Sequence, residues 1–256
     1  MTCTRCRAVL VTEEVRRNLH VCPKCECHLP VSAAERIAQL LDPGTFAERH
    51  AELRPADPLR FDDGRPYLER IKAEQERTGL PEAAVVGEGL IQGIRVVLGL
   101  VDSGFLRGSM GSVVGEKLTR AIEEATVRKL PLVLVTSSAG ARMHEGILSL
   151  MQIAKIAAAL GRHRTAGGFC LGLLTDPSIG GVAGFAFLSD IVLAEPQAMV
   201  GFIGPRVHTQ VTHLRLPDGV QTSEFALQHG FIDRIVPRRE LRERIAQLLG
   251  YVTDPA

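Results

Sequence analysis

Tryptophan is absent, aromatic residues make up 4% of the chain, and only five of its 30 cationic side chains are lysine. Single-stranded nucleic acid is held on aromatic platforms in a basic groove. A net charge of +1 and an isoelectric point near 7.7 supply no such groove. Long apolar runs are missing as well. The longest, VVLGLV from Val96 and PLVLV from Pro131, fall far short of the roughly 20 residues that span a bilayer, so no membrane helix is expected. The opening MTCTRCRAVLVTEEVRR has cysteines and charges where a secretory signal needs an apolar stretch, which makes the cytoplasm the expected compartment. Disorder is excluded in turn, because 45% hydrophobic residues in a chain of 256 can build a core.

Cysteine is concentrated at one end. Cys3 and Cys6 form one C-x2-C knuckle and Cys22 and Cys25 a second, with 15 residues between them. That spacing reads as zinc. Each knuckle turns two thiolates toward one point, and a closed tetrahedral shell of four sulfurs suits structural rather than catalytic Zn²⁺. In a reducing compartment these thiols would not pair as disulfides. Four thiolates around Zn²⁺ carry −2, which moves the formal balance from +1 to about −1 and further from nucleic acid. Two knuckles fill the shell, so Cys27 and His28 read as a spare thiol and a surface imidazole, and Cys170 as a small buried hydrophobe. The run RRELRER from Arg238 to Arg244 reads as a solvated helix face.

A helix from Ser32 stops at Pro43-Gly44, and the segment ELRPADPLRFDDGRP, without regular periodicity, is expected to wrap over a surface or a partner. A second helix covers Tyr67 to Thr78, and two strands follow, joined at Gln92-Gly93. Strands and helices then alternate. SVVGEKLTRAIEEATVRK reads as a helix, LPLVLVTSS as a buried strand, and ARMHEGILSLMQIAKIAAAL as a helix with Met143, Ile147, Leu150, Met151 and Ala154 on one face. Alternation of this kind argues an α/β fold.

No G-x-S-x-G elbow, Walker sequence or H-E-x-x-H motif occurs. His144 and Glu145, beside Arg142, come nearest to an acid–base pair, but neighbours on a helix diverge by about 100°, and a structural or ion-pair role is the simpler reading. Glycine is more informative. Three strand ends run through glycines into a helix: GFLRGSMGSVVG, TSSAGARM and TDPSIGGVAG. Each would place unpaired N–H groups where they can stabilise a phosphate or an oxyanion. Gly108, Ser109, Met110, Gly111, Arg142, Gly180 and Gly181 are therefore the candidate substrate-binding residues.

CTRC…CPKC, GSMGSVVGEKLTRA, PLVLVTSSAGARMHEG, LTDPSIGGVAGFAFLSDIVLAEPQAMVGFIGPRV and SEFALQHGFIDRIV together resemble the carboxyltransferase β subunit of bacterial acetyl-CoA carboxylase, over nearly the whole chain. The resemblance implies a zinc ribbon over residues 1–30 and a crotonase-type α/β domain of repeated ββα units over residues 31–256. It implies carboxyl transfer from carboxybiotin on a biotin carboxyl carrier protein to acetyl-CoA, giving malonyl-CoA. A carboxyltransferase α subunit would complete the active site in an α2β2 assembly. Carried over by residue, the family's oxyanion-binding pair falls on Ala139 and Gly140, before a helix expected to start near Ala141. Two positions depart from the family pattern: Ala139 stands in the first glycine place, and Arg107 where glycine is common. Arg107 is left either contacting an acyl carboxylate or a CoA phosphate, or facing outward. The alternatives are a specialised acyl-CoA or acyl-carrier-protein carboxylase or decarboxylase subunit, and a zinc-ribbon nucleic-acid module.

Overall fold

The structure, a computed structural model, describes residues 1–253. The amino-terminal end uses one turn twice. Cys3 N–H donates to Ala8 O and Arg7 N–H to Cys3 O, while Cys22 N–H donates to Cys27 O and Glu26 N–H to Cys22 O. Arg7 and Glu26 close the two turns at left-handed φ of 61° and 57°. Helix α1 (Thr12–Arg17) connects them. Only Leu10, Val15 and Leu29 join Cys3 and Cys22 in the buried apolar cluster here, too little to order so short a piece unaided.

Helix α2 (Ala33–Leu40) starts in a capping box, with Ser32 Oγ accepting the Glu35 N–H and the Glu35 carboxylate accepting the Ser32 N–H. Strand β1 (Ala47–Arg49), helix α3 (Tyr67–Thr78) and the hairpin β2 (Ala84–Ile91) and β3 (Ile94–Val101) follow. Three crossovers come next: α4 (Ser112–Arg128) leads to β4 (Leu132–Ser138), α5 (Ile147–Thr165) to β5 (Cys170–Ile179), and α6 (Gly181–Ala186) to β6 (Ile191–Ala194). The chain closes with β7 (Val200–Gly201), α7 (Pro205–Thr212), α8 (Ser223–Gln228), β8 (Arg234–Ile235) and α9 (Leu241–Gly250). The sheet runs β1-β2-β3-β4-β5-β6-β8, antiparallel through β3 and parallel from there, with β7 pairing the end of β5.

Alternation along β4 divides the core between two faces. Leu132 and Leu134 join Val114, Leu118 and Ile122 of α4 and Ile156 and Leu160 of α5. Val133 and Val135 face the other way, onto Leu40 of α2 and Leu241, Ile245 and Leu249 of α9. Because β3, β4 and β5 are parallel, the turns that leave their carboxyl ends gather along one edge. These are the three glycine-bearing turns of the sequence. Among the described residues no helix is long and apolar enough to cross a membrane.

Three expectations are corrected. No α-helix starts near Ala141: residues 143–145 form one 3-10 turn and α5 begins only at Ile147, after Gly146 at φ 51°. The cause is Glu145, whose carboxylate turns inward to take the Ser112 N–H at 2.6 Å instead of continuing a helical face. The apolar positions of this stretch do share one side, and it points outward, with Met143, Ile147, Leu150 and Met151 at 76, 63, 52 and 56% exposure. Arg238, expected on a solvated face, is buried against Glu195. His28, expected at the surface, has its side chain 6% exposed and Nδ1 3.2 Å from a Glu195 oxygen. The aperiodic segment does wrap over a surface, that of its own chain: Phe61 packs on the core and meets the His144 ring edge-on at 5.2 Å.

Candidate functional site

The three turns are stitched together through their backbones. Leu106, Arg107 and Gly108 are consecutively left-handed, at φ 42°, 57° and 65°. This curl lays Gly108 so close to β4 that a Cβ on it would stand 2.1 Å from Ser137 O. Ala139 N–H then donates to Arg107 O, Met110 N–H to Gly140 O and Arg142 N–H to Met110 O, at 2.9, 2.9 and 3.0 Å. The second and third turns meet at glycines, Gly140 at φ 112° and Gly180 at φ 75°. A Cβ on Gly180 would lie 2.9 Å from Gly140 Cα and 3.7 Å from Ala141 N. Only glycine at position 180 lets the two backbones come this near.

The N–H groups of these turns differ in whether the protein supplies an acceptor. Ala139 N–H is committed to Arg107 O, and Gly140 N–H to Ser138 Oγ at 3.1 Å. Neither is directed at a ligand. The next residue along each turn is different: Ala141 N–H and Gly181 N–H find no acceptor among the described residues. Ala141 is bridged to Met110 only through its neighbours' groups, which turns its own N–H to the opposite side, toward Gly180. Ala139 itself takes no left-handed φ, so its methyl is held without backbone strain. Arg107 is exposed, and its guanidinium has no partner among the described residues.

Beneath the turns lies a buried polar network. Arg142, 1% exposed, gives two hydrogen bonds to Glu82 at 2.6 and 2.5 Å, one to Tyr67 Oη at 3.0 Å, and two to Ser109, at its Oγ and its carbonyl. Tyr67 in turn donates to Glu145 Oε1 at 2.6 Å. Every guanidinium N–H direction is thereby taken up by the protein. Arg142 was expected to touch substrate; the structure makes it the post that holds Ser109 and Met110 in place. Burial works against its charge, yet the Glu82 carboxylate outweighs burial and holds the guanidinium pKa above its ordinary value. Burial likewise pushes the Tyr67 hydroxyl up, so it remains a neutral donor. Gly111 and Gly181 serve packing: a Cβ would meet Glu145 Oε1 at 2.2 Å in the first case and Ile153 at 2.4 Å in the second. Glu82 and Tyr67 were not singled out from sequence. The one signal was a lone carboxylate at the start of the apolar run AAVV.

The four knuckle sulfurs lie within 4.8 Å of one another, with Cys3 and Cys25 Sγ 3.7 Å apart and Cys6 and Cys22 Sγ 3.9 Å. Tetrahedral Zn–S bonds of about 2.3 Å put sulfurs about 3.8 Å apart, so the cluster fits Zn²⁺. Cys27 lies outside this cluster, half-buried, with its thiol pushed up by burial.

Residues 31–217 match the carboxyl transferase domain family, and residues 1–25 match the acetyl-CoA carboxylase zinc finger domain. An acetyl-coenzyme A carboxylase carboxyl transferase subunit beta from Rhodopirellula baltica is 53% identical over 251 residues, covering 97% of this chain and 80% of the relative. Its counterpart from Desulforudis audaxviator is 51% identical over 247 residues, covering 96% and 89%. Among solved structures, the transcarboxylase 12S core superposes with a TM-score of 0.73 at 24% identity, over 87% of this chain and 41% of that one. A Pseudomonas malonate decarboxylase hetero-dimer gives 0.66 at 25% identity, over 87% and 86%. These likenesses establish the crotonase-like α/β fold.

Proposed function

Because the chain belongs to the family of acetyl-CoA carboxylase carboxyl transferase β subunits, we propose that the junction of its Gly140 and Gly180 turns holds the thioester oxygen during carboxyl transfer. The activity is that of a biotin-dependent carboxyltransferase: a carboxyl group passes to acetyl-CoA and malonyl-CoA is formed. The transfer breaks the N–C bond that holds the carboxyl group on biotin and a C–H bond of the acetyl methyl, and makes a C–C bond to the carboxyl carbon and an N–H bond on biotin; between loss of the proton and formation of the C–C bond, negative charge resides on the thioester oxygen. Carboxybiotin, borne on a biotin carboxyl carrier protein, supplies the carboxyl group and a ureido nitrogen that takes the methyl proton. The chain itself has to supply a fixed home for the charge, and preorganised N–H donors do this without reorganising as the charge develops.

The observation that carries this reading is the pair of uncommitted donors, Ala141 N–H and Gly181 N–H, at the closest approach of the two turns. The pair replaces Ala139 and Gly140 in the oxyanion role. Gly108, Ser109, Met110 and Gly111 act from behind, setting the second turn through the Met110 bridges, and Gly180 provides the close approach. The Arg142–Glu82 pair keeps the arrangement rigid. In the same reading residues 1–30 are the ribbon, folded by one structural Zn²⁺ on Cys3, Cys6, Cys22 and Cys25, the chain from residue 31 is the transferase body, with 254–256 of the expected 31–256 outside the described residues, and the cytoplasm is the compartment.

A carboxyltransferase α subunit is the partner in this assignment. The outward face of Met143, Ile147, Leu150 and Met151 begins one turn after the donors, and exposed apolar surface of this kind marks a protein interface. An α2β2 assembly would bring the carboxybiotin side against it. Purified alone, the chain is expected to self-associate and to form no malonyl-CoA. Co-expressed with the α subunit it should give a stable, active complex, and Leu150→Lys should weaken that complex. Robust malonyl-CoA formation from the chain, acetyl-CoA and carboxybiotin, with no second polypeptide present, would overturn the division of the site between two subunits.

A further inference from the structure

One buried carboxylate joins the metal-binding end of the chain to the turn that carries Gly181. Glu195 follows β6 and is 1% exposed. Its Oε1 accepts from Arg36 Nη1 of α2 at 2.7 Å and from Arg238 Nε at 2.8 Å, and its Oε2 from Arg238 Nη2 at 2.6 Å. Arg238 turns its remaining Nη1 to the ribbon, donating to the carbonyls of Leu19, His20 and Leu29 at 3.0, 3.2 and 2.9 Å. One guanidinium thus spans the ribbon and the body, with a bidentate fork on one edge and three backbone acceptors on the other.

On its other side, Glu195 anchors the chain that frames the site. Glu195 N–H donates to Leu174 O of β5 at 2.9 Å, and the segment from 195 to 201 then runs along the end of that strand. Met199 N–H donates to Asp176 Oδ1, Ser178 N–H to Met199 O and Gly180 N–H to Gly201 O, at 3.0, 2.7 and 2.9 Å. Val200 and Gly201 are in register with Ser178 and Ile179. The bond from Gly180 N–H to Gly201 O fixes the Ile179–Gly180 peptide, one peptide before the one that carries the Gly181 N–H.

We propose that Glu195 and Arg238 are positioning residues for carboxyl transfer: the metal-folded ribbon seats Arg238, Arg238 and Arg36 seat Glu195, and Glu195 holds the 195–201 segment that aims the Gly181 N–H. The three ribbon carbonyls converge on Arg238 only when the ribbon is folded, and a piece with so little apolar surface folds only with its metal bound. The metal therefore supports the site through a chain of hydrogen bonds, without touching substrate. A one-ångström error in such a donor is costly, because transition-state stabilisation depends on its aim.

This proposal rests on the assignment of Gly181 as a donor. The test uses the co-expressed complex with the α subunit, comparing wild type with Arg238→Met, which keeps the Arg36–Glu195 pair and removes the three bonds to the ribbon carbonyls, and with Arg238→Met/His28→Ala, which also removes the ribbon's His28 Nδ1 contact with Glu195 at 3.2 Å. Zinc content, backbone amide exchange of peptides covering residues 2–29 and 176–202, and kcat and KM for acetyl-CoA are measured together. The expected result is about one zinc per chain retained, faster exchange at Ser178 to Gly181, kcat lowered about tenfold and KM within about twofold of wild type, with Arg238→Lys recovering part of kcat. Faster exchange confined to residues 2–29, with unchanged exchange at 178–181 and unchanged kcat, would show that the clamp only tethers the ribbon. Should Arg238→Met fail to assemble, zinc is stripped from the wild-type complex with a chelator and the same peptides are followed; unchanged exchange at 178–181 overturns the proposal. A wild-type complex that made no malonyl-CoA would instead count against the function assigned above, and amide exchange would still decide the clamp.

Discussion

Substitution of Gly108 by alanine tests the idea that backbone contact between turns, more than any side chain, builds this site. Two costs add. The left-handed φ of 65° is strained for a residue with a Cβ, at about 1–2 kcal/mol, of which about 0.4–1 kcal/mol is offset by the stiffer unfolded chain. The second cost is steric: the new Cβ would stand 2.1 Å from Ser137 O and 3.0 Å from Ser138 Cα, against an ordinary contact of 3.4 Å or more. Both obstacles are backbone, so the first turn has to retreat by about 1 Å, and the Ala139 N–H to Arg107 O bond at 2.9 Å lies in its path. Losing that bond adds about 1–3 kcal/mol, for a total of about 1–4.5 kcal/mol. Gly79→Ala is the control, with a similar φ of 72° at the end of α3 and nothing within 4 Å of its Cβ. It should cost about 0–1.5 kcal/mol, the strain alone. Urea unfolding midpoints measure the difference, and turnover of the complex with the α subunit measures displacement of the donors, expected to cost Gly108→Ala roughly 10²-fold. Equal destabilisation by the two substitutions, with normal turnover in both, would refute the reasoning.

Cys22→Ser should lose the zinc that metal analysis finds at about one per chain, whereas Cys27→Ser should keep it, because Cys27 lies outside the four-sulfur cluster; full zinc occupancy in Cys22→Ser would remove the site. Stability should also fall in acid through Glu88. Its carboxyl is lowered from 4.5 to about 2 by the hydrogen bond from Arg128, with Arg49 adding to it against partial burial. The folded state then binds this proton more weakly than the unfolded one, so the contribution is complete above about pH 4.5 and is lost as pH falls toward 2. Urea midpoints taken from pH 5.5 downward should decline less steeply in Glu88→Gln, and identical slopes would exclude Glu88 as a source.

The elements were readable from sequence wherever the signal is local. The strand pair at Gln92-Gly93, the helix over Tyr67–Thr78 and the zinc knuckles rest on turn residues, periodicity and spacing, and they fold as read. The glycines at the strand ends also turn the chain as read, because left-handed φ and close approach limit the residue type there, although the second turn reaches its helix only at Ile147. What a side chain or N–H group faces is a different kind of quantity. Arg238 and Arg36 have the composition of solvated helix faces, and only Glu195, 159 residues from Arg36, makes them buried. Arg142 belongs to a motif that promises contact with substrate, and Glu82, 60 residues earlier, takes its fork away. Even the uncommitted N–H groups, which we propose as the oxyanion donors, lie one residue along each turn, at Ala141 and Gly181, since whether an N–H is free depends on which acceptor arrives opposite it. The four-cysteine cluster, the α/β alternation and the glycine-bearing turns at the strand ends were legible in the sequence, each an outcome of local backbone preference and ligand spacing. Tertiary structure alone decided which groups remain uncommitted at those turns, because a hydrogen bond has two ends and the second lies far away in the chain.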